Sequence, residues 1–395
     1  MTRILADHSK ANLNCLIRAN PCDPRHPRPW LLMALDHRVL ARETPAMRRR
    51  TFLQVASAAL AGPAIADQPK PRIKIGQIGV GHGHATKLAV YLKSPDYEVV
   101  GLVEPDEGLR KRAAFQPAFK DLPWLSREQL LNTPGLQAVL VETHVADLLD
   151  NAAACVAGGK HVGIDKPPGD SLPKLRAILD AAGKQKLLVQ MGYMYRYNPG
   201  VVLLREFLKK GWLGEPFQVD AVMGKVVDAG DRRELAQFAG GIMFELGCHV
   251  LDTVVGILGK PTAVTGHARH VSKLDDKLAD QMLGVFEYPK ALATVTASAV
   301  EVDGLSRRHL TVCGTEATFH IQPLDNPAVR VSLSKDRGEY KRGGQEIKLP
   351  KFERYVADAA DMAKVIRGEK ASDYPPEHDL AVQGALLKAC GMKTD

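Results

Sequence analysis

From residue 72 onward, short apolar runs alternate with longer amphipathic stretches. Ile73, Ile75 and Ile78 predict a buried strand, Ala85 to Leu92 a helix, and Val99 to Val103 a second strand. Ala138–Val141 and His161–Ile164 are further apolar runs, separated by a helical stretch from Asp147 to Val156 that stops at Gly158-Gly159. Strands alternating with helices at this spacing predict an α/β unit with a parallel, doubly wound sheet. After Leu187–Gln190 and a helix running through Lys210, the pattern changes. Candidate strands cover 216–228, 262–271, 281–288, 291–301, 308–313, 316–321 and 328–334, many with alternating polarity. The expectation for this half is one large sheet with a single covered face. Helices return at 352–367 and, after Pro375-Pro376, at 377–390.

The first 66 residues do not share this periodicity. Pro21, Pro24, Pro27 and Pro29 break up any regular element near the start. From Met47 the chain reads Arg48-Arg49-Arg50-Thr51-Phe52-Leu53, then a weakly apolar stretch, then Ala64-Ile65-Ala66 before Asp67. Paired arginines, a short apolar run and a small-x-small site, in that order, predict a twin-arginine export signal of a bacterial protein, and hence a periplasmic or otherwise exported product. Residues 1–46 read either as an over-extended start, with translation beginning at Met47, or as a long polar lead-in. The expected organisation is therefore 1–46 outside the fold, 47–66 as signal, and 67–190 as the α/β domain. The strand-rich domain follows at 191–375, and 376–395 forms a terminal helix packing back on the first domain.

Charge supports this division. The chain of 395 residues carries a net charge of +8, but ten Lys/Arg against four Asp/Glu in the first 66 residues supply +6 of it. The body lacks a basic stripe interleaved with aromatics, so nucleic-acid binding is not expected. Apolar content of 45% and charged content of 25% are those of an ordinary globular chain, with ample material for a core. Cys155, Cys248, Cys313 and Cys390 are scattered without a C-x-x-C pair and read as unpaired thiols.

Candidate chemistry gathers at strand ends and loops. Gly79, Gly81 and Gly83 follow the first strand and open the first helix, the first glycine permitting a tight turn and the second a close approach of backbone to a pyrophosphate. His84 stands where the third glycine of G-x-G-x-x-G is expected. Glu104 ends the second strand, where a carboxylate accepts from ribose hydroxyls and repels a 2′-phosphate, favouring NAD; Arg110 and Lys111 keep NADP open. His161–Ile164 terminates in Asp165-Lys166-Pro167-Pro168, which puts Lys166 at the carboxyl end of a parallel strand, facing a nicotinamide. Further on, Gly240-Gly241 precedes Glu245, His249 and Asp252, whose i, i+4, i+7 spacing puts them on one helix face. His249 and Asp252 as metal ligands, Cys248 as a nucleophile, and chelation by His82 and His84 are alternatives. The simpler expectations are no metal site, a packing role for Cys248, and histidines that line the cofactor loop.

The Asp165-Lys166-Pro167 run, the Gly-Gly…Glu245-x-x-x-His249-x-x-Asp252 run and the Arg196-Tyr197-x-Pro199 segment together resemble the Gfo/Idh/MocA family of glucose-fructose oxidoreductase and inositol dehydrogenase, across about residues 72–392. The resemblance implies a Rossmann domain followed by an α+β domain with a large, open, mainly antiparallel sheet that often mediates homo-oligomers. It implies an NAD(P)-dependent oxidoreductase of carbohydrate metabolism, acting on a hydroxyl of a sugar, polyol or sugar derivative. Catalysis would fall to Lys166, His249 and Glu245. Cofactor contacts would come from Gly79, Gly81, His82, Gly83, His84, Glu104, Thr143, His144 and Lys166, and substrate contacts from Tyr195, Arg196, Glu245 and Asp252. The family usually has Asp at position 245, Pro at 144 and often His at 148, where this chain has Glu245, His144 and Leu148. The expected partners are a small carbohydrate and, during export, the twin-arginine translocase.

Export carries a further expectation. With no large NAD pool outside the cytoplasm, the cofactor should stay tightly bound and be restored in each cycle. That could be by hydride transfer between two sugars, or by transient oxidation of a sugar that permits elimination, as in NAD-dependent glycoside hydrolases and lyases. A non-catalytic sugar-binding homologue is the alternative of a different class.

Overall fold

The computed structural model describes residues 70–395, except Phe238. The segments read above as 1–46 and as the export signal lie outside the described residues.

Near-continuous apolar runs produce strands buried on both faces. β1 (Ile73–Ile78), β2 (Tyr97–Val103), β3 (Leu136–Val141), β4 (His161–Ile164) and β5 (Val189–Met191) form one sheet in the order β2-β1-β3-β4-β5, with every pairing parallel. Five helices connect them: α1 (Leu88–Lys93), α2 (Glu107–Ala113), α3 (Arg127–Leu131), α4 (Val145–Ala157) and α5 (Leu172–Lys184). Their starts follow from sequence: Ser126 and Gln129 close a reciprocal capping box on α3, and Ser171 caps α5 ahead of Pro173. The chain leaves β1 for β2 on one side and later returns to place β3 on the other. The crevice at the carboxyl ends of β1 and β3 is thus the switch point at which such sheets bind ligands.

α6 (Pro199–Lys209) begins the second half, with Asn198 accepting from the N–H groups of Gly200 and Val201. β6 (Pro216–Gly224), α7 (Ala229–Leu235) and α8 (Cys248–Leu258) follow. Then come β7 (Ala263–Arg269), β8 (Gln281–Glu287), β9 (Leu292–Ser298), the short α9 (Gly304–Arg307), β10 (His309–Gly314), β11 (Ala317–Ile321), β12 (Val329–Leu333) and β13 (Gly343–Ile347). The eight strands form a sheet ordered β13-β12-β11-β10-β6-β9-β8-β7, antiparallel except where β6 meets β9. Burial alternates along β8, β11 and β12, as in a sheet with one covered face. On the other face Asp220 accepts from Thr294 and pairs with His309, and Thr311 bonds His320.

The chain returns to the parallel sheet earlier than the sequence suggests. α10 (Val356–Ile366) buries Ala359, Met362 and Ala363 against Ile75, Tyr91 and Tyr97, and the Tyr97 hydroxyl donates to the Ala359 carbonyl at 2.7 Å. α11 (Pro376–Ala389), the helix expected to pack back on the first domain, touches α5 but lies chiefly against α8 and β7. From there Gln383 donates to the carbonyl of Gly169 at 2.6 Å, tying α11 to the loop just beyond Lys166. Among the described residues no helix is long and apolar enough to cross a membrane.

Candidate active site

The cofactor crevice begins at the glycine loop. Gly79 has φ +91°, and a Cβ there would lie 2.5 Å from the backbone nitrogen of Thr143. A Cβ on Gly81 would lie 2.9 Å from Nε2 of His144, so the two loops that form the crevice touch at the glycines. Gly83 faces open space. The loop continues into a 3-10 turn, Ala85–Lys87, before α1. Beside it a cleft of about 770 Å³ is lined by Ile78, Val103, Glu104, Arg110, Trp124, Thr143 and His144. Glu104 is oriented at its edge: Oε2 accepts from Val80 N–H and Oε1 from Asp106 N–H, each at 3.0 Å. These features fit a dinucleotide, with its ribose at Glu104 and its backbone-hugging pyrophosphate at Gly79 and Gly81.

At the carboxyl end of β4, Asp165 and Lys166 turn in opposite directions. The buried Lys166 Nζ donates to Glu245 Oε1 at 2.7 Å and to the Glu245 carbonyl at 3.0 Å. Burial works against its charge, but Glu245 outweighs it and holds the ammonium. Glu245 reaches this position because Met243–Gly247 form a π turn rather than ordinary α-helix ahead of α8. The approach needs glycine: a Cβ on Gly240 would strike Phe244 at 2.5 Å, and Gly241 has φ +55°.

His249, in the first turn of α8, is buried, with its ring centroid 6.0 Å from that of Tyr195 and 5.7 Å from that of His84. Burial, reinforced by the charge of Lys166, puts its pKa well below the usual histidine value, so the imidazole is neutral. Its buried Nδ1 has no hydrogen-bond partner among the described residues. A neutral imidazole beside a fixed ammonium is a proton acceptor next to an oxyanion stabiliser.

Asp165 is the hub beneath these groups. Its Oδ1 accepts from Lys166 N–H at 2.6 Å and lies 3.2 Å from His84 Nδ1; its Oδ2 lies 2.8 Å from Lys87 Nζ and 3.4 Å from His82 Nδ1. Burial opposes its ionisation, but the Lys87 ammonium and the hydrogen bond with His84 hold the carboxyl well below the usual range. Lys87 also pairs with the buried Glu142 at 2.7 Å. The sequence reading omitted Lys87, Glu142 and Tyr355. Glu142 had a signal, since it ends β3 as Asp165 ends β4. Lys87 and Tyr355, whose ring lies 5.9 Å from that of His84, had none beyond chain neighbourhood.

Two expected substrate contacts are corrected. Arg196 and Asp252 are buried and bound to each other: Arg196 Nη2 lies 2.7 Å from Asp252 Oδ1 and 2.5 Å from Asp379 Oδ1, and His378 Nε2 meets Asp252 at 2.9 Å. The π turn breaks the i, i+7 relation, so Glu245 faces Lys166 while Asp252 faces α11. Tyr195 walls the His249 ring, but its hydroxyl is directed at Met223 Sδ, 3.6 Å away. The Arg196-Tyr197-Asn198-Pro199 segment is thus an ion-pair anchor followed by a helix cap.

Two family models match the chain and together span more than half of it: an oxidoreductase family model for an NAD-binding Rossmann fold over residues 73–193, and a GFO/IDH/MocA C-terminal domain over residues 201–320. The scyllo-inositol 2-dehydrogenase (NAD(+)) of Bacillus subtilis is 25% identical over 265 residues, covering 65% of this chain and 75% of the relative. The scyllo-inositol 2-dehydrogenase (NADP(+)) IolW of the same organism is 25% identical over 262 residues, covering 66% and 69%. Among solved structures, GenD2 from gentamicin A biosynthesis, in complex with NAD, superposes with a TM-score of 0.67 at 22% identity, over 81% of this chain and 94% of that one.

Proposed function

The chain belongs to the GFO/IDH/MocA family of NAD(P)-dependent oxidoreductases acting on CH–OH groups, and from that premise we propose that it oxidises a ring hydroxyl of a cyclic polyol or sugar. The observation that carries this reading is the buried, neutral His249 with a partnerless Nδ1, set beside a Lys166 ammonium that Glu245 pins in place. His249 takes the hydroxyl proton, and Lys166 stabilises the alkoxide that develops on the same oxygen. The nicotinamide, when bound, accepts the hydride. Glu245 has two tasks, holding Lys166 with one oxygen and gripping a neighbouring substrate hydroxyl with its partly exposed carboxylate. Glu104 favours NAD as the cofactor.

The leader supports a second form of the same chemistry. Arg49-Arg50 and Ala64-Ile65-Ala66 point to export with the cofactor already bound, and an exported enzyme regenerates it within the cycle, between two sugars or through a transient keto-sugar.

The test is to unfold protein purified with its own leader and assay the supernatant for NAD and NADP. Inositols, hexoses and glycosides are then offered with added NAD while nicotinamide absorbance is followed. Net NADH from a cyclic polyol supports the dehydrogenase. Retained cofactor with product but no net NADH supports the recycling form. Neither cofactor binding nor turnover would sink both.

A further inference from the structure

His82 and His84 leave the glycine loop on the same side as Asp165, and one donor atom from each residue falls within 4.8 Å of the others. We propose that the imidazoles of His82 and His84 and the carboxylate of Asp165 form a three-ligand site for a divalent transition-metal ion of the zinc class, with a coordination position left open.

Three observations converge on it. The first is the tautomer of His82. Its Nε2 lies 3.1 Å from the carbonyl oxygen of Lys166, which can only accept, so Nε2 carries the proton. Its Nδ1 lies 3.2 Å from the backbone N–H of His84, which can only donate, so Nδ1 bears a lone pair, and the same atom faces Asp165 Oδ2 at 3.4 Å. A lone pair and a carboxylate oxygen repel each other without a cation between them.

The second is distance. His84 Nδ1 lies 3.2 Å from Asp165 Oδ1, and His82 Nδ1 lies 3.4 Å from Oδ2 of the same carboxylate. Elsewhere among the described residues hydrogen-bonded pairs close to 2.7 Å (His309–Asp220) and 2.9 Å (His378–Asp252), while His270, bonded instead to backbone carbonyls, stands 3.7 and 3.8 Å from Asp276 and Asp280. Donors about 2.0–2.1 Å from a tetrahedral ion stand roughly 3.3–3.4 Å apart, close to the spacing of His84 Nδ1 and Oδ1.

The third is support for the carboxylate. Lys166 is committed to Glu245, while Lys87 Nζ holds Asp165 Oδ2 at 2.8 Å and pairs with Glu142 as well. An ion on Asp165 Oδ1 leaves Lys87 to keep Oδ2 in place, the usual arrangement of a supported ligand. The other such triplet among the described residues, Asp252, His378 and Asp379, is already filled by the Arg196 guanidinium.

The site adjoins the His249 ring, so its open position can take water or an oxygen of a polyol. Only the polyol oxygen rests on the oxidoreductase reading.

The test uses the mature chain, stripped with a chelator and titrated with ZnCl2 by calorimetry and with CoCl2 by visible absorption. One zinc per chain is expected, with the intense Co²⁺ bands of a tetrahedral N/O site. His82→Gln and His84→Gln should each weaken zinc by more than about 100-fold and abolish those bands, while His378→Gln leaves both unchanged. No saturable zinc in the unmodified protein, or binding that both loop variants preserve, overturns the site. The unmodified protein's Co²⁺ spectrum decides the matter even where a variant fails to fold. NAD⁺ affinity, read separately by protein fluorescence, keeps the two readings apart. Zinc without NAD binding sinks the oxidoreductase and leaves the metal site standing, and NAD binding without zinc does the reverse.

Discussion

Replacing Lys166 by Met removes a charge and three donors while nearly conserving volume. Its Nζ and Glu245 Oε1 are 2.7 Å apart, worth roughly 6 kcal/mol of Coulomb attraction at an effective dielectric of about 20. Much of that offsets the desolvation of a lysine side chain only 1% exposed, and Glu245, at 25% exposure, retains water when its partner goes. The fold should therefore survive, and the loss should fall on the reaction. Removing a donor aimed at a developing oxyanion costs roughly 100- to 1,000-fold in kcat, about 2.7–4 kcal/mol. A second effect separates this role from mere packing. The Lys166 charge is one of the causes that depress the His249 pKa, after burial itself. The base works when neutral, so activity falls as pH drops through that pKa. Without Lys166 the pKa rises, and the acid limb of kcat/KM must move to higher pH. The assay is a pH–rate profile of Lys166→Met against the unmodified enzyme, on whichever polyol or sugar proves to be turned over, with thermal melting as the control for folding. A loss below about tenfold, or an acid limb that does not move, would refute the assignment.

Other perturbations read different parts of the structure. Arg196→Met leaves Asp252 and Asp379 buried without their shared cation and should cost about 3–5 kcal/mol in urea unfolding; a change under about 1 kcal/mol would mean that the network contributes little. Gly79→Ala drives a Cβ to 2.5 Å from Thr143 N at a positive φ and should cost about 2 kcal/mol or more, whereas Gly83→Ala, with open space, should stay within about 0.5 kcal/mol. Equal melting temperatures for the two variants would contradict that geometry. Glu104→Gln removes the charge that repels a 2′-phosphate and should narrow the preference for NAD over NADP by about tenfold, measured as a ratio of dissociation constants.

The parallel sheet was legible because buried parallel strands are written as apolar runs and their ligand-bearing ends follow directly. Asp165, Lys166, Glu104 and the glycines were found that way. The second sheet was legible through alternation, apart from β13. Its Gly343-Gly344 start and polar Gln345 and Glu346 carry little apolar signal, as befits an edge strand. Helical spacing failed where the backbone left the α pattern. The π turn at Met243–Gly247 directs Glu245 to Lys166 and leaves Asp252 for Arg196, a separation that a constant 3.6-residue period cannot express. Asp379 and His378 were hidden for another reason, since they meet Arg196 and Asp252 only through the return of a helix more than a hundred residues away.

Arg196 lies where three stretches of chain cross: the link leaving β5, the middle of α8 and the start of α11. Mechanically it is a rivet through a hinge. Rotating one sheet against the other would part ion pairs of 2.5 and 2.7 Å in surroundings that offer no replacement solvation. The gap between Lys166, which follows the parallel sheet, and His249 on α8 is accordingly a fixed gauge. Under the proposed oxidation of a ring hydroxyl, substrates would be sorted by whether a ring and its hydroxyls match that gauge on arrival, with little of their binding energy going into reshaping the protein around them.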